Sequence, residues 1–286
     1  MKIIYIILNY KTYSDTIRVV NELITNVRKD YKIIVVDNES PNESYEVLSS
    51  TFKGNEYVDI IQSGENGGYA KGNNFGLRYA KKYNPEYSVI MNNDVHFSWD
   101  TIDGLIEIYP KLEKPAVIAP IQMNPDGSRA SLPVLQLPDM MYDLRSYSML
   151  FRLPRHNFAS NTTMPNVQRV GIIQGAFLFV NYKTFEQMGF FDECTFLFCE
   201  ERFTGKAAKD LGLNNYLILN LQYVHEHSKT IGRETSSKFQ RELIHKGKIM
   251  YTYKHRSCPW LKSLVLDICY YTYEWKLSLL RIIKKR

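Results

Sequence analysis

Long apolar runs, paired cysteines and low-complexity tracts are all missing from this chain, and each absence removes a class of protein. No segment stays apolar long enough to cross a bilayer. The apolar stretch inside MKIIYIILNYK is short and no small-residue cleavage site follows, so it is expected to be a strand and not a leader peptide. Cys194, Cys199, Cys258 and Cys269 form no CxxC pair and no zinc-like spacing with histidine. Free, buried thiols and a reducing, cytoplasmic setting are expected instead. No stripe of Arg and Lys interleaved with aromatics marks a nucleic-acid surface, so no nucleic-acid partner is expected. Neither the phosphate-loop spacing nor the dinucleotide-binding glycine spacing is present, which excludes those two nucleotide fingerprints. There is no internal repeat.

What remains is an ordinary globular composition with enough chain for a large core. The 286 residues are 44% hydrophobic and 23% charged, with a formal net charge of +6. That mild excess suits an anionic ligand or an anionic membrane surface.

Strands and helices alternate in the first hundred residues. Lys2 to Leu8, Lys32 to Val36, Val58 to Gln62 and Tyr87 to Met91 are short, apolar and rich in β-branched residues, as strands buried on both faces must be. Between them, Ser14 to Val27 places Ile17, Val20, Leu23, Ile24 and Val27 on one helical face, and Tyr45 to Phe52 is predicted helical. The stretch ENGGYAKGNNFG opens a third helix, with Gly68, Gly72 and Gly76 on one face, a small-residue stripe that lets the helix approach the sheet. This pattern predicts a parallel sheet with helices on both faces. Further on, a helix over Asp103 to Leu112 and a strand over Ala116 to Pro120 are predicted. Ser128 to Gln168 is an irregular stretch rich in Pro, Met and Leu, and Val170 to Glu193 runs strand, turn, helix. Beyond about Thr235 the chain is helical and increasingly basic.

Polar residues fall where the strands run out. Asn9 and Tyr10 close the first, Asp37 and Asn38 the second, and Asn92, Asn93 and Asp94 the fourth. Open parallel sheets bind ligands outside the carboxyl ends of their strands, so these positions point to a nucleotide-type site. Asn66, Gly68, Lys71 and Asn73 stand near the start of the glycine-bearing helix, where free backbone N–H groups favour phosphate.

The segments ILNY, VVDNES, ENGGYAKGNN, MNNDV, GAFLFV and GFFDECTFLFCEE, in this order over residues 2 to 232, resemble a family-2 inverting glycosyltransferase of the GT-A fold. The rhamnosyltransferase-like bacterial branch, which builds cell-surface polysaccharides such as O-antigen, is the most similar in flavour. The resemblance implies an α/β GT-A architecture with a Rossmann-like, mostly parallel sheet and a C-terminal helical extension. It implies a nucleotide-sugar-binding half over 1–100, an acceptor-binding and catalytic half over 101–232, and the extension over 233–286.

The same resemblance assigns roles. Asp37 would meet the donor base, with Asn9, Tyr10 and Asn38 beside it, while Asn66, Gly68, Lys71 and Asn73 would shape the phosphate side. Asp94 would be the carboxylate of a DxD-like motif whose first position is Asn92, with Asn93 between, so one carboxylate would hold Mn²⁺ or Mg²⁺. His225 falls where the family often has a histidine near the metal and diphosphate; His227 is a lesser candidate, and Arg233, just beyond, would meet a phosphate. The family's Glu-Asp pair is Glu200 and Glu201 here. Glu201 is expected to be the base that takes the acceptor's proton, with Glu200 or Asp192 supporting the acceptor. The implied donor is dTDP-rhamnose or a UDP-hexose, and the acceptor a saccharide or a lipid-linked saccharide. A nucleotidyltransferase and a non-catalytic nucleotide-sugar binder are the rival readings. The first lacks its expected Gly-rich basic loop after strand one, and the second is kept open by the Glu-Glu pair.

The tail carries two readings. On a helix, Leu264, Ile268, Tyr271, Trp275, Leu279 and Ile282 share one face, while Lys276, Arg281 and Lys285 lie away from it. Such a helix either packs on the body or on a second copy in a homodimer, or lies on the inner leaflet of the cell membrane.

Overall fold

The structure, a computed structural model, describes residues 2–26, 30–130, 133–148, 153, 156–226 and 237–283. The first strand, β1 (Ile3–Asn9), is followed by α1 (Tyr13–Asn26), β2 (Tyr31–Asp37), α2 (Ser44–Thr51), β3 (Val58–Gln62), α3 (Gly68–Ala80) and β4 (Tyr87–Asn92). A tight turn leads to β5 (Val95–Phe97), α4 (Trp99–Ile108) and β6 (Pro115–Met123). Then come α5 (Met140–Ser146), β7 (Val167–Val170), β8 (Phe177–Asn181), α6 (Tyr182–Gln187), α7 (Glu200–Asp210) and β9 (Asn214–His225). Two long helices, α8 (Ser237–His255) and α9 (Pro259–Ile283), end the described chain.

All nine strands join one sheet in the order β3-β2-β1-β4-β8-β6-β9-β5, with β7 added to β9. The expected parallel half is β3-β2-β1-β4. Beyond β4 the sheet is mixed: β8 runs antiparallel to both β4 and β6, whereas β6 and β9 are parallel.

Alternation along the central strand builds a core on each face. Ile3, Tyr5 and Ile7 of β1 pack with Val19, Val20 and Leu23 of α1, while Ile4 and Ile6 pack with Ala70 and Leu77 of α3. The glycine stripe of α3 does what its spacing predicted. A Cβ on Gly72 would lie 2.5 Å from the Leu8 side chain, and one on Gly76 would lie 2.8 Å from that of Val36. Parallel register puts Asn9 beside Asp37, and Leu8 beside Asn92. The polar ends of β1, β2 and β4 therefore share one edge.

Among the described residues no helix is long and apolar enough to cross a membrane. The four cysteines are free, and Cys199 is buried. Five elements were not expected from the sequence: α5 inside the irregular stretch and β7 at its end, the three-residue β5, α7 and β9. The predicted helix over Asp103 to Leu112 starts earlier, at Trp99, because Ser98 is extended and releases the chain into helix just after it.

Candidate functional site

Two loops at the shared edge are tied by a chain of buried hydrogen bonds. Asn93 donates to Thr16 Oγ1 (2.8 Å), Thr16 donates to Asn9 Oδ1 (2.8 Å), and Asn9 donates to Asp37 Oδ2 (2.7 Å). Ser40 closes the chain, its backbone N–H reaching Asp37 Oδ1 (2.9 Å) and its hydroxyl Oδ2 (2.7 Å). Asp37 and Asn9 have no exposed surface. Asp37, expected to meet the base, has its carboxylate engaged by three hydrogen bonds, from Asn9 and twice from Ser40. Tyr10 stays half-buried at the rim, with the Lys11 ammonium 5.0 Å from its ring centre.

The next wall is the entry to α3. Asn38 donates to Asn66 Oδ1 (3.0 Å) and to the Gly68 carbonyl (3.2 Å), which pins the loop before the helix to the end of β2. Asn73 is buried and turned inward, donating to the Tyr69 carbonyl (2.9 Å), with its own side-chain oxygen unpartnered. Lys71 sits at the surface, paired with Glu65. Gly68 adopts φ +82°, and a Cβ there would lie 1.9 Å from the Phe196 carbonyl oxygen. The Tyr69 N–H donates to that same oxygen (2.9 Å), and the Tyr69 hydroxyl reaches the Gly175 carbonyl. The glycine lets α3 meet the loop that leads into α7. Gly68→Ala combines a steric overlap with backbone and a left-handed φ, so a loss of about 2–4 kcal/mol is expected, read as a lowered denaturation midpoint.

Asp94 follows β4 in the turn to β5. It is 4% exposed, and neither carboxylate oxygen has a hydrogen-bond partner. Among the described residues, His225 at the end of β9 stands beside it, with Nε2 3.1 Å from Oδ1 and without hydrogen-bond alignment. A buried carboxylate left bare is costly, and the usual remedy is a cation. The imidazole is held from behind, with Gln122 of β6 3.1 Å from Nδ1, while Asn92 stands 3.4 Å from Nε2. Gln122 in turn accepts from the Tyr223 hydroxyl (2.9 Å). A bare carboxylate beside an imidazole supported on its other nitrogen fits an oxygen-seeking divalent cation that completes its shell with water or phosphate. Among the described residues no three His, Cys, Asp or Glu side chains converge, and Asp94 and His225 are the pair that the described part of the site offers.

Gln122 and Tyr223 also line a cavity of about 200 Å³, and Glu201 lines the same cavity. Glu200 and Glu201 open α7 after a strained turn: Phe198 and Cys199 both have left-handed φ, at 69° and 72°. Glu200 is 5% exposed with Oε2 unpartnered. Burial pushes its carboxyl well above the usual range, and the neighbouring Glu201 charge adds to the rise. Burial also raises Glu201, held back by backbone hydrogen bonding at Glu201 and Gly175. Of the two, only Glu201 reaches the larger cavity. Asp192 is turned elsewhere, pairing with Lys254 of α8 and accepting from the Cys194 N–H (3.1 Å).

The C-terminal extension holds this turn in place. Gly247 of α8 lies so close to Cys199 that a Cβ would approach its side chain to 2.7 Å. Asp143 of α5 is fully buried. It takes both Arg202 guanidinium nitrogens (3.0 and 2.6 Å) and also Arg256 (2.7 Å) from just past α8. Arg202 directly follows the glutamate pair, so the network is well placed to fix the start of α7.

The structure thus brings Asn9, Asp37, Asn38, Asn66, Gly68 and Asn73 to one edge, and Asn92 and Asp94 beside His225, which contacts Gln122 of the cavity that Glu201 lines. Asp192 and Lys71 do not line that cavity and pair with Lys254 and Glu65 instead, while His227 and Arg233 lie outside the described residues. Gln122, Ser40, Thr16 and Asp143 were missed. Gln122 fell just past the predicted end of its strand, and the other three carry no signal beyond ordinary turn and helix chemistry.

The geometry can be set beside known proteins. A family model described as "Glycosyl transferase family 2" matches residues 4–173. A low-salt glycan biosynthesis hexosyltransferase, Agl10 of Haloferax volcanii, is 29% identical over 198 residues, covering 68% of this chain and 58% of its own length. An N-acetylglucosaminyl-diphospho-decaprenol L-rhamnosyltransferase of Mycobacterium tuberculosis is 22% identical over 183 residues, covering 63% and 59%. The match therefore spans less than two thirds of either relative. Among solved structures, GalNAc-T7 with UDP, GalNAc and Mn²⁺ superposes with a TM-score of 0.64 at 14% identity, covering 87% of this chain and 48% of that one. Mannosyltransferase PcManGT from Pyrobaculum calidifontis, with GDP-Man and Mn²⁺, gives 0.58 at 14% identity, covering 98% and 75%. The fold is GT-A.

Proposed function

This chain belongs to glycosyl transferase family 2, and from that premise we propose that it is an inverting, divalent-metal-dependent enzyme. In this reading it moves a sugar from a nucleoside diphosphate to a hydroxyl of a saccharide or lipid-linked saccharide. The observation that carries the proposal is the pair of bare, buried Asp94 oxygens beside His225, joined through Gln122 to the cavity that Glu201 lines. Asp94 and His225 would hold the cation, Mn²⁺ or Mg²⁺. Once bound, it would offset the negative charge that grows on a departing diphosphate.

The remaining work falls to the chain's own groups. Asn9 and Ser40, set by Asp37, and Tyr10 at the rim would receive the base and ribose, while the loop before α3, shaped by Asn66 and Gly68, would border the diphosphate. Glu201 would take the acceptor's proton as its oxygen attacks the anomeric carbon from the face opposite the leaving group, which inverts the configuration. Glu200, kept protonated by its deeper burial, would leave Glu201 as the ionised member of the pair.

The names of the relatives support a hexosyl or rhamnosyl transfer; the donor proposed first is dTDP-rhamnose or a UDP-hexose, and the proposed acceptor belongs to cell-surface glycan assembly such as O-antigen at the cytoplasmic face of the membrane. A panel of nucleotide-sugars, with and without Mn²⁺, tests this. The true donor at about a hundredfold its dissociation constant should stabilise the fold by about 2.7 kcal/mol, and only with the metal present. Slow release of free sugar should follow. A panel in which nothing raises the melting temperature would sink the reading, and binding with no sugar ever released would favour a non-catalytic binder.

A further inference from the structure

Helix α9 buries one face and exposes a second that is more apolar. Ser263, Leu266 and Tyr270 are its buried residues. Trp260, Leu264, Ile268, Tyr271, Trp275 and Ile282 stand on a stripe turned away from them, and they are 66%, 50%, 58%, 66%, 62% and 59% exposed. At 25 residues the helix is about 37 Å long, so the stripe is far larger than the scattered apolar residues of an ordinary surface.

The charges beside the stripe identify what covers it. The acids are already spent: Asp267 pairs with His245 at 2.7 Å, and Glu274 pairs with Arg241. Lys276 and Arg281 are exposed and have no ion-pair partner among the described residues, and Lys284, Lys285 and Arg286 follow in the sequence. A second copy of this face would offer them no free acid, because both acids of α9 are already paired. An anionic surface would neutralise them.

We propose that α9 lies flat on an anionic lipid bilayer, sinking its tryptophan-bearing stripe among the acyl chains while Lys276 and Arg281 meet lipid headgroups. The inference rests on the proposed transfer to a lipid-linked saccharide and adds its partner surface. Its consequence for the site is positional. Helix α8 packs against α9 and presses Gly247 onto Cys199, directly before the glutamate pair, so the bilayer lies at a set height from the cavity.

Co-sedimentation of the full chain with vesicles tests it. With phosphatidylcholine containing about one third phosphatidylglycerol, the protein should pellet at least about tenfold more strongly than with phosphatidylcholine alone, and added salt should release it. Fluorescence should shift to the blue, since two of the three tryptophans, Trp260 and Trp275, sit on the stripe. Combined Ile268→Glu, Tyr271→Glu and Trp275→Glu should weaken binding by about tenfold or more. Because those side chains are exposed, the melting temperature and the Mn²⁺-dependent stabilisation by donor should stay at wild-type values. Three results would overturn the proposal: wild type left in the supernatant with anionic vesicles, undiminished binding by the triple variant, or a dimer that the variant dissociates without any vesicle binding. Donor stabilisation is read in solution without lipid, so failure of the transferase reading would be seen separately.

Discussion

Asp94→Asn should leave the unliganded protein at least as stable as the wild type while removing Mn²⁺-dependent donor binding and about 10³-fold of the transfer rate. The two halves of that expectation have one cause. A carboxylate with 4% exposure and no hydrogen bond on either oxygen is a liability in the empty fold, relieved only by His225 at 3.1 Å. Asparagine keeps the shape, removes the charge and can hydrogen-bond where the carboxylate could not. The same change deletes the carboxylate that, among the described residues, would face a cation there, and a divalent ion does not hold an amide and an imidazole as tightly. Thermal melts of both proteins, with and without Mn²⁺ and donor, read both quantities at once. If the variant keeps the full Mn²⁺-dependent rise, Asp94 is not the ligand. If the variant melts well below wild type without ligand, the carboxylate has an unrecognised structural role.

How far the sequence foretold this site depends on how local each signal is. The strands of the parallel half read correctly because each is short, apolar and β-branched, and burial on both faces leaves no other fate for them. The glycine spacing in α3 foretold close packing, and the structure adds that Gly68 also admits the Phe196 carbonyl, a contact across more than a hundred residues that no local pattern encodes. Asp94 was visible as polar punctuation after an apolar run. Gln122 was not, because its task is set by register between β6 and β9, and the irregularity after Pro120 shifts that register just before it. The helix α5 was lost in a stretch rich in Pro and Met, since what stabilises it is largely tertiary: Asp139 caps its start and Asp143 is bound by Arg202 and Arg256 from elsewhere. The apolar face of α9 was plain in the sequence, but periodicity cannot say whether such a face is covered. Only its exposure on the folded chain decides that.

Glu201→Gln is expected to cut transfer by about 10²–10⁴-fold with donor affinity nearly unchanged, the pattern of a lost general base. The pair's surroundings give the companion pH dependence. Both carboxyls are raised by burial, and Glu200 is raised further by its neighbour's charge. Two such groups side by side do not ionise together, so the deeper Glu200 keeps the proton and Glu201 becomes the carboxylate facing the cavity. Wild-type transfer should therefore climb as pH rises through the raised range of Glu201, and Glu201→Gln should flatten that limb. Stability runs the opposite way. An acid whose folded pKa lies above its unfolded one binds more protons when folded, so the fold loses stability as pH climbs from the ordinary glutamate range through the raised one. Glu200→Gln, which keeps the base and removes the buried acid, should lessen that loss while leaving much of the transfer rate in place. Rate–pH profiles and melting curves for the two amide variants separate the roles. If Glu201→Gln retains transfer and Glu200→Gln abolishes it, the base is Glu200, and the acceptor must enter from the small void where Glu200 meets Thr204 and Asn215.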